Sequence, residues 1–311
     1  MWSHLNIFSP VYVWSFLHPL LALVCAPLLQ GIITKTKAFF AGRQGPSIVQ
    51  PYHDLIKLLR KGAVYSNTTT PFFRLGPALG IAISILCLVF LPLGTLHAVV
   101  SFQGDLIFVV YLLALLRFFT VIAAMDTGSA FEGMGASREM TFSALAEPAL
   151  LFSLAALARK TGSLSLNGLI HGITLTLWQA NAAALTLVVA GLFLVYLAEN
   201  SRIPVDDPST HLELTMIHEA MVLDHGGVDF GFIEYAAALK LWILGSLIVG
   251  IALPVHTGML GADVIIMCLG LAALSIIVGI IGSTTARFRL LQVPQLLVGA
   301  CAFAVVGFLI Q

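Results

Sequence analysis

Charge is scarce in this chain: 10% of its 311 residues are Asp, Glu, Lys or Arg, against about 25% in an average soluble domain. Fifteen basic residues meet fifteen acidic ones, so no basic excess points to a nucleic-acid partner. Cysteine is also sparse. Cys25, Cys87, Cys268 and Cys301 lie far apart in apolar runs, which excludes the CxxC and Cys/His spacings of zinc and iron-sulfur sites and leaves them as small core hydrophobes. The first ten residues lack the positive start of a cleaved signal peptide, so the first apolar stretch is expected to stay as a span. No Ser/His/Asp or Cys/His triad, phosphate-binding loop or dinucleotide fingerprint is present. The chain is therefore expected to hold no redox centre, metal or cofactor of its own and to catalyse no bond change by itself.

Apolar residues fill the space that charge leaves. They make up 59% of the chain, and mean hydropathy is +1.00. Runs long enough to cross a hydrocarbon core of about 30 Å fall near 12–33, 75–96, 105–125, 140–158, 174–198, 233–255, 262–283 and 293–310. Lipid offers the backbone no partner, and the runs lack the alternation of barrel strands, so they are read as helices. The predicted fold is an all-α integral membrane protein: a single membrane domain, 1–311, of about eight transmembrane helices. Lys35, Lys37, Arg43, Lys57, Arg60, Lys61 and Arg74 crowd the first loop, whereas the opposite side has Arg159 and Lys160. The positive-inside rule makes loops 34–74, 126–139, 199–233 and 284–292 cytoplasmic and puts both termini outside.

Within the first loop Ile48, Tyr52, Leu55, Ile56 and Leu59 recur at helical spacing between Gln50, His53, Asp54, Lys57 and Lys61. This predicts an amphipathic helix at the interface or against the bundle, and a plain lipid anchor fits the pattern equally. The loop 199–234 carries Glu199, Asp206, Asp207, Glu213, Glu219, Asp224, Asp229 and Glu234 with only Arg202 as a basic counterpart. His211, His218 and His225 follow at intervals of seven. On one helix, neighbours would be about 10 Å apart, too far for a shared metal, which leaves a solvated or subunit-facing stripe or a proton relay. Arg117, Glu147, Glu199 and Lys240 sit in or at the edges of spans, where such groups mark either an ion pathway or an ion pair such as Glu147 with Arg117. Gly133, Gly135, Ser137, Arg138 and Glu139 read as a tight loop before a helix start, which would serve equally as a turn or as an anion contact.

Residues 198–221, AENSRIPVDDPSTHLELTMIHEAM, resemble the signature loop of the complex I subunit 1 superfamily, most closely its membrane-bound NiFe hydrogenase branch, which includes hydrogenase-4 and formate hydrogenlyase. Segments GRQGP (42–46) with DLIKL (54–58), and GASRE (135–139) with AEP (146–148), agree in the same order. The resemblance spans the whole chain. It implies a prokaryotic inner-membrane subunit whose loops seat a cytoplasmic arm comprising a NiFe large subunit, a small iron-sulfur subunit and a ferredoxin-like subunit. The NiFe centre and iron-sulfur clusters would lie in those partners, with antiporter-like subunits alongside in the bilayer.

The resemblance further implies that Glu147, Glu199, Glu213 and Glu234, and Asp224 after a short insertion, form a proton pathway matching the polar route of complex I. Arg43, Asp54, Lys57, Arg138, Arg202, Asp206, Asp207 and His211 would shape or dock the loops, with Arg202 and Asp206 pairing. Ser209 and His211 stand where quinone-reducing members carry acids, which favours the hydrogenase branch. A quinone-site subunit, a passive anchor and a stand-alone transporter are the alternatives, though the internal repeat expected of the last is not seen.

Overall fold

The computed structural model describes residues 14–206, 216–255 and 257–310, so Asp207, His211 and Glu213 lie outside the described residues. Among the described residues eight helices are long and apolar enough to cross a membrane: α1 (Leu17–Phe40), α3 (Pro71–Phe90), α4 (Asp105–Asp126), α5 (Ala130–Thr161), α8 (Ala182–Glu199), α10 (Gly227–Ala252), α11 (Leu260–Thr284) and α12 (Val293–Ile310). Shorter helices connect them: α2 (Gln50–Leu59), α6 (Leu166–Gly172), α7 (Leu175–Ala180) and α9 (His218–Met221).

The central helix is α10, whose span is 83% buried against 28% for the last span. It packs on α1, α3, α8, α11 and the amphipathic α2, while α12 packs against α5 and α8. Large aliphatics stay exposed along α11 and α12, among them Ile265, Leu269, Val298 and Leu309, as lipid contact requires. One apolar core runs through the bundle from Ala22 to Ala300.

Pro27 organises the first helix. Lacking an N–H, it leaves the Leu23 carbonyl without its helical partner, and the Tyr235 hydroxyl of α10 donates to that carbonyl at 2.7 Å. The Tyr52 hydroxyl of α2 donates to the adjacent Val24 carbonyl. The two tyrosines thus fasten the central and amphipathic helices to the same turn of α1. Deeper in, the His18 ring donates to the Leu91 carbonyl at 2.8 Å and accepts from Trp242 Nε1 at 3.1 Å, joining α1, the end of α3 and α10.

Three sequence expectations need correction. The loop expected at 126–139 shrinks to residues 127–129, because α5 starts at Ala130 and runs 32 residues, about 48 Å at 1.5 Å per residue. Gly133 to Glu139 are therefore helical rather than a tight turn. Gly135 is small for packing, since a Cβ there would meet the Ile217 carbonyl and Ala220 Cβ at 2.9 Å. The span expected from 174 begins only at Ala182, because Asn181 breaks the helix between α7 and α8. The histidine stripe does not form between His218 and His225: α9 is four residues long, and His225 precedes the Gly226 cap of α10.

Candidate functional site: a buried ion network beside a polar cavity

Four spans bring five charged side chains together. Arg117 projects from the middle of α4, and Nη1 donates to Glu147 Oε1 of α5 at 2.5 Å. Its Nη2 donates to Glu199 Oε1 at the end of α8, and its Nε lies 3.3 Å from Glu139 Oε1, also on α5. Lys240 of the central helix places Nζ 2.7 Å from Glu199 Oε2. Glu139 and Glu147 reach one guanidinium because eight residues is close to two helical turns. The planar fork of arginine suits such a junction, where an ammonium would engage fewer carboxylates with defined geometry.

Burial makes these contacts matter. The side chains of Arg117 and Glu199 are 6% and 7% exposed, against 39% for Glu147. Charges withdrawn from water must be matched by opposite charge and hydrogen bonds. Glu199 meets this with a cation on each oxygen.

Beside the network lies a cavity of about 330 Å³. Its wall combines apolar residues of α2 and α3, such as Leu55, Leu58 and Pro77, with Asp54, Glu139, Glu199, Arg202, Glu234 and Lys240. A second, far smaller pocket lies behind it, lined by Glu139, Ser143, Glu199, Ser201, Asp206 and Ile217. At about 10 Å³ it has room for roughly one water.

The polypeptide around these pockets is held by charge. Asp206 is buried, pairs with Arg287, and accepts from the backbone N–H of Ile217 at 3.3 Å and His218 at 3.2 Å. Phe288 N–H donates to the Pro204 carbonyl at 2.9 Å, so the segment before α12 clamps the segment after α8. Arg138 Nη1 donates to the Met216 carbonyl at 2.7 Å, and the buried Glu132 accepts from Asp224 N–H at 3.1 Å. Burial, reinforced by Lys240 and opposed by Asp206, brings the His218 pKa down to about 4, so its ring is neutral at physiological pH. His225 stacks on Phe73 with centroids 3.9 Å apart, and burial lowers its pKa too.

Of the residues expected on a proton pathway, Glu147 and Glu199 belong to the network and Glu234 lines the cavity. Asp224 is exposed at a turn and lines neither pocket. Among the docking and shaping residues, Asp54 and Arg202 line the cavity, Arg43 and Lys57 are exposed, and Arg138 and Asp206 hold the loop. The counter-charge that the acidic loop lacks comes from Arg117, Lys240 and Arg287. Glu139, in the network, and Glu132, holding the loop, carry no mark of either role in the motifs read from the sequence. The signal for Glu139 was its spacing of eight from Glu147. Among the described residues no three His, Cys, Asp or Glu converge as metal ligands.

The NADH dehydrogenase family profile matches residues 13–310. The chain is similar to formate hydrogenlyase subunit 4 of Escherichia coli (strain K12), with 31% identity covering 94% of this chain and 98% of that one. Hydrogenase-4 component C of the same organism is 29% identical over 90% of each chain. An NADH-quinone oxidoreductase subunit of Rickettsia canadensis (strain McKiel) is 23% identical over 69% of this chain and 65% of its own. The same fold occurs in a chain of the membrane-bound sulfane sulfur reductase, an archaeal respiratory membrane complex, with a TM-score of 0.82, 23% identity, and coverage of 96% of this chain and 99% of that one. With its eight spans and a match along almost its entire length, this chain belongs to the NADH dehydrogenase family, of complex I subunit 1 type.

Proposed function

We propose that the protein is the membrane subunit of a multisubunit energy-converting hydrogenase of the formate hydrogenlyase or hydrogenase-4 type. Its loops face the cytoplasm of a prokaryotic cell, both termini lie outside, and a redox arm bearing a NiFe large subunit, a small iron-sulfur subunit and a ferredoxin-like subunit docks on them. Antiporter-like subunits flank it in the bilayer. The subunit couples electron transfer in the arm to proton or ion translocation. The observation that carries this reading is the continuity of Glu199: its carboxylate joins the buried network, and the chain leaving it becomes the Arg202–Asp206 segment. A shift in that segment when the arm changes redox state moves Glu199 between Arg117 and Lys240, and coupled carboxylates redistribute protons in response.

Tagging the chain and purifying it from its native membranes tests the assignment. Co-purification of a large subunit with two CxxC pairs for nickel is expected, and a stable complex without any such subunit would contradict it. The cavity with its mixed apolar and charged wall favours a second reading, a quinone-site subunit of complex I type. Quinone-dependent oxidoreductase activity of the purified complex would decide for that reading.

A further inference from the structure

We propose that Glu139 is the residue on which the buried network carries its exchangeable proton, and that it exchanges this proton with both the large cavity and the small pocket behind it. The use of that proton in turnover rests on the coupling role proposed above; its resting place does not.

The first argument is a charge count. The groups in direct contact are Arg117 from α4, Glu139 and Glu147 from α5, Glu199 from α8 and Lys240 from α10. Three carboxylates against two cations leave one negative charge in excess. The other ionisable groups facing the cavity from the neighbouring segments are Asp54, Arg202, His218, Glu219, His225 and Glu234; burial keeps both histidines neutral, so they do not supply a cationic surplus. Glu147 is 39% exposed and Glu139 18%, so water screens Glu147 more; charge neither screened nor matched by a cation is neutralised by protonation, and the network binds one proton.

Geometry then says which carboxylate holds it. Glu199 has Arg117 on Oε1 and Lys240 on Oε2. Glu147 receives an Arg117 N–H at 2.5 Å. Glu139 approaches Arg117 no nearer than 3.3 Å, the longest of the contacts in the network. It gains least from being ionised.

Position supplies the second, independent argument. Glu139, Glu199 and Ser201 are the residues common to the walls of both pockets, and Glu199 is held ionised by its two cations. Glu139 can break its O–H bond toward a water in the small pocket, which leaves as hydronium while the carboxylate forms, and is then reprotonated by a hydronium arriving through the cavity, which is left as water. Each cycle moves one proton and returns the network to its starting charge.

Infrared difference spectroscopy of the intact complex in lipid nanodiscs tests this without turnover. The wild type is expected to show a protonated buried-carboxyl C=O band at neutral pH that is lost in Glu139→Gln. The band should shift in Glu139→Asp, which keeps the acid but shortens it, and stay in place in Glu147→Asp. If the glutamine variant does not assemble, the two aspartate variants alone decide. Absence of the band in the wild type, its persistence in Glu139→Gln, or a shift in Glu147→Asp instead of Glu139→Asp would overturn the proposal. A band assigned to Glu139 in a complex that moves no protons would instead sink the coupling role and leave the site standing.

Discussion

Lys240 Nζ lies 2.7 Å from Glu199 Oε2, so the central helix is tied by charge to the last residue of α8, where the chain leaves the membrane for the acidic loop. Glu199 also accepts from Arg117, and through Arg117 that tie reaches two further carboxylates on α5. Loop, central helix and flanking spans thus share one electrostatic junction.

Arg117 is the hub of that junction. Arg117→Met takes the only cation from Glu147 and one of two from the buried Glu199, and removing one partner of a buried ion pair costs about 3–5 kcal/mol. A marked drop in the thermal inactivation midpoint in detergent is the expected outcome. Arg117→Lys should fall between wild type and Arg117→Met, since it keeps the charge and loses the fork. A midpoint unchanged in Arg117→Met would show that the contacts are dispensable.

The proline turn of α1 offers a test with an internal rescue. Tyr235→Phe removes the donor to the Leu23 carbonyl and should cost about 1 kcal/mol. In a Pro27→Ala background residue 27 regains its N–H and satisfies that carbonyl within the helix, so the same substitution should cost little. Equal losses in the two backgrounds, measured by chemical denaturation, would refute the pairing of Pro27 with Tyr235.

His218 makes stability depend on pH. Its folded-state pKa, brought down to about 4 chiefly by burial, lies below the ordinary 6.5 of an unfolded histidine. Between these values the unfolded chain binds more protons, so stability rises with pH. The His218 contribution is fully present above about pH 6.5 and is lost as pH falls toward 4. Subtracting the stability profile of His218→Gln from that of the wild type should reveal this slope, and a flat difference would show that His218 is not buried in its neutral form.

Much of the fold was legible in the sequence because lipid imposes a simple rule on apolar runs, and the eight spans and the amphipathic α2 followed from length and periodicity alone. The start of α5 did not. Its first turns carry Glu132, Arg138 and Glu139 among glycines, a composition that resembles a loop, yet this end of the helix packs against α9 and borders both pockets. Of the residues in the network and cavity, Glu147 and Glu199 stand out in the sequence by their place in or beside spans, and Glu234 by the family motif. The partners of the acidic loop were harder to see: Arg287 reaches Asp206 across 81 residues and Arg117 reaches Glu199 across 82, and nothing local in a sequence pairs groups so far apart. His218 and His225, seven residues apart, suggested a shared face, but the chain leaves the helix between them.

Proton movement measured alongside hydrogen evolution in everted membrane vesicles tests the central claim most directly. With reduced viologen supplying electrons to the arm, wild-type vesicles should acidify as hydrogen forms. Glu199→Gln keeps the size of the side chain and removes the charge that Arg117 and Lys240 compete for. Hydrogen evolution continuing while acidification is lost is the expected result. Wild-type acidification per hydrogen formed in Glu199→Gln would contradict the role of this network in coupling.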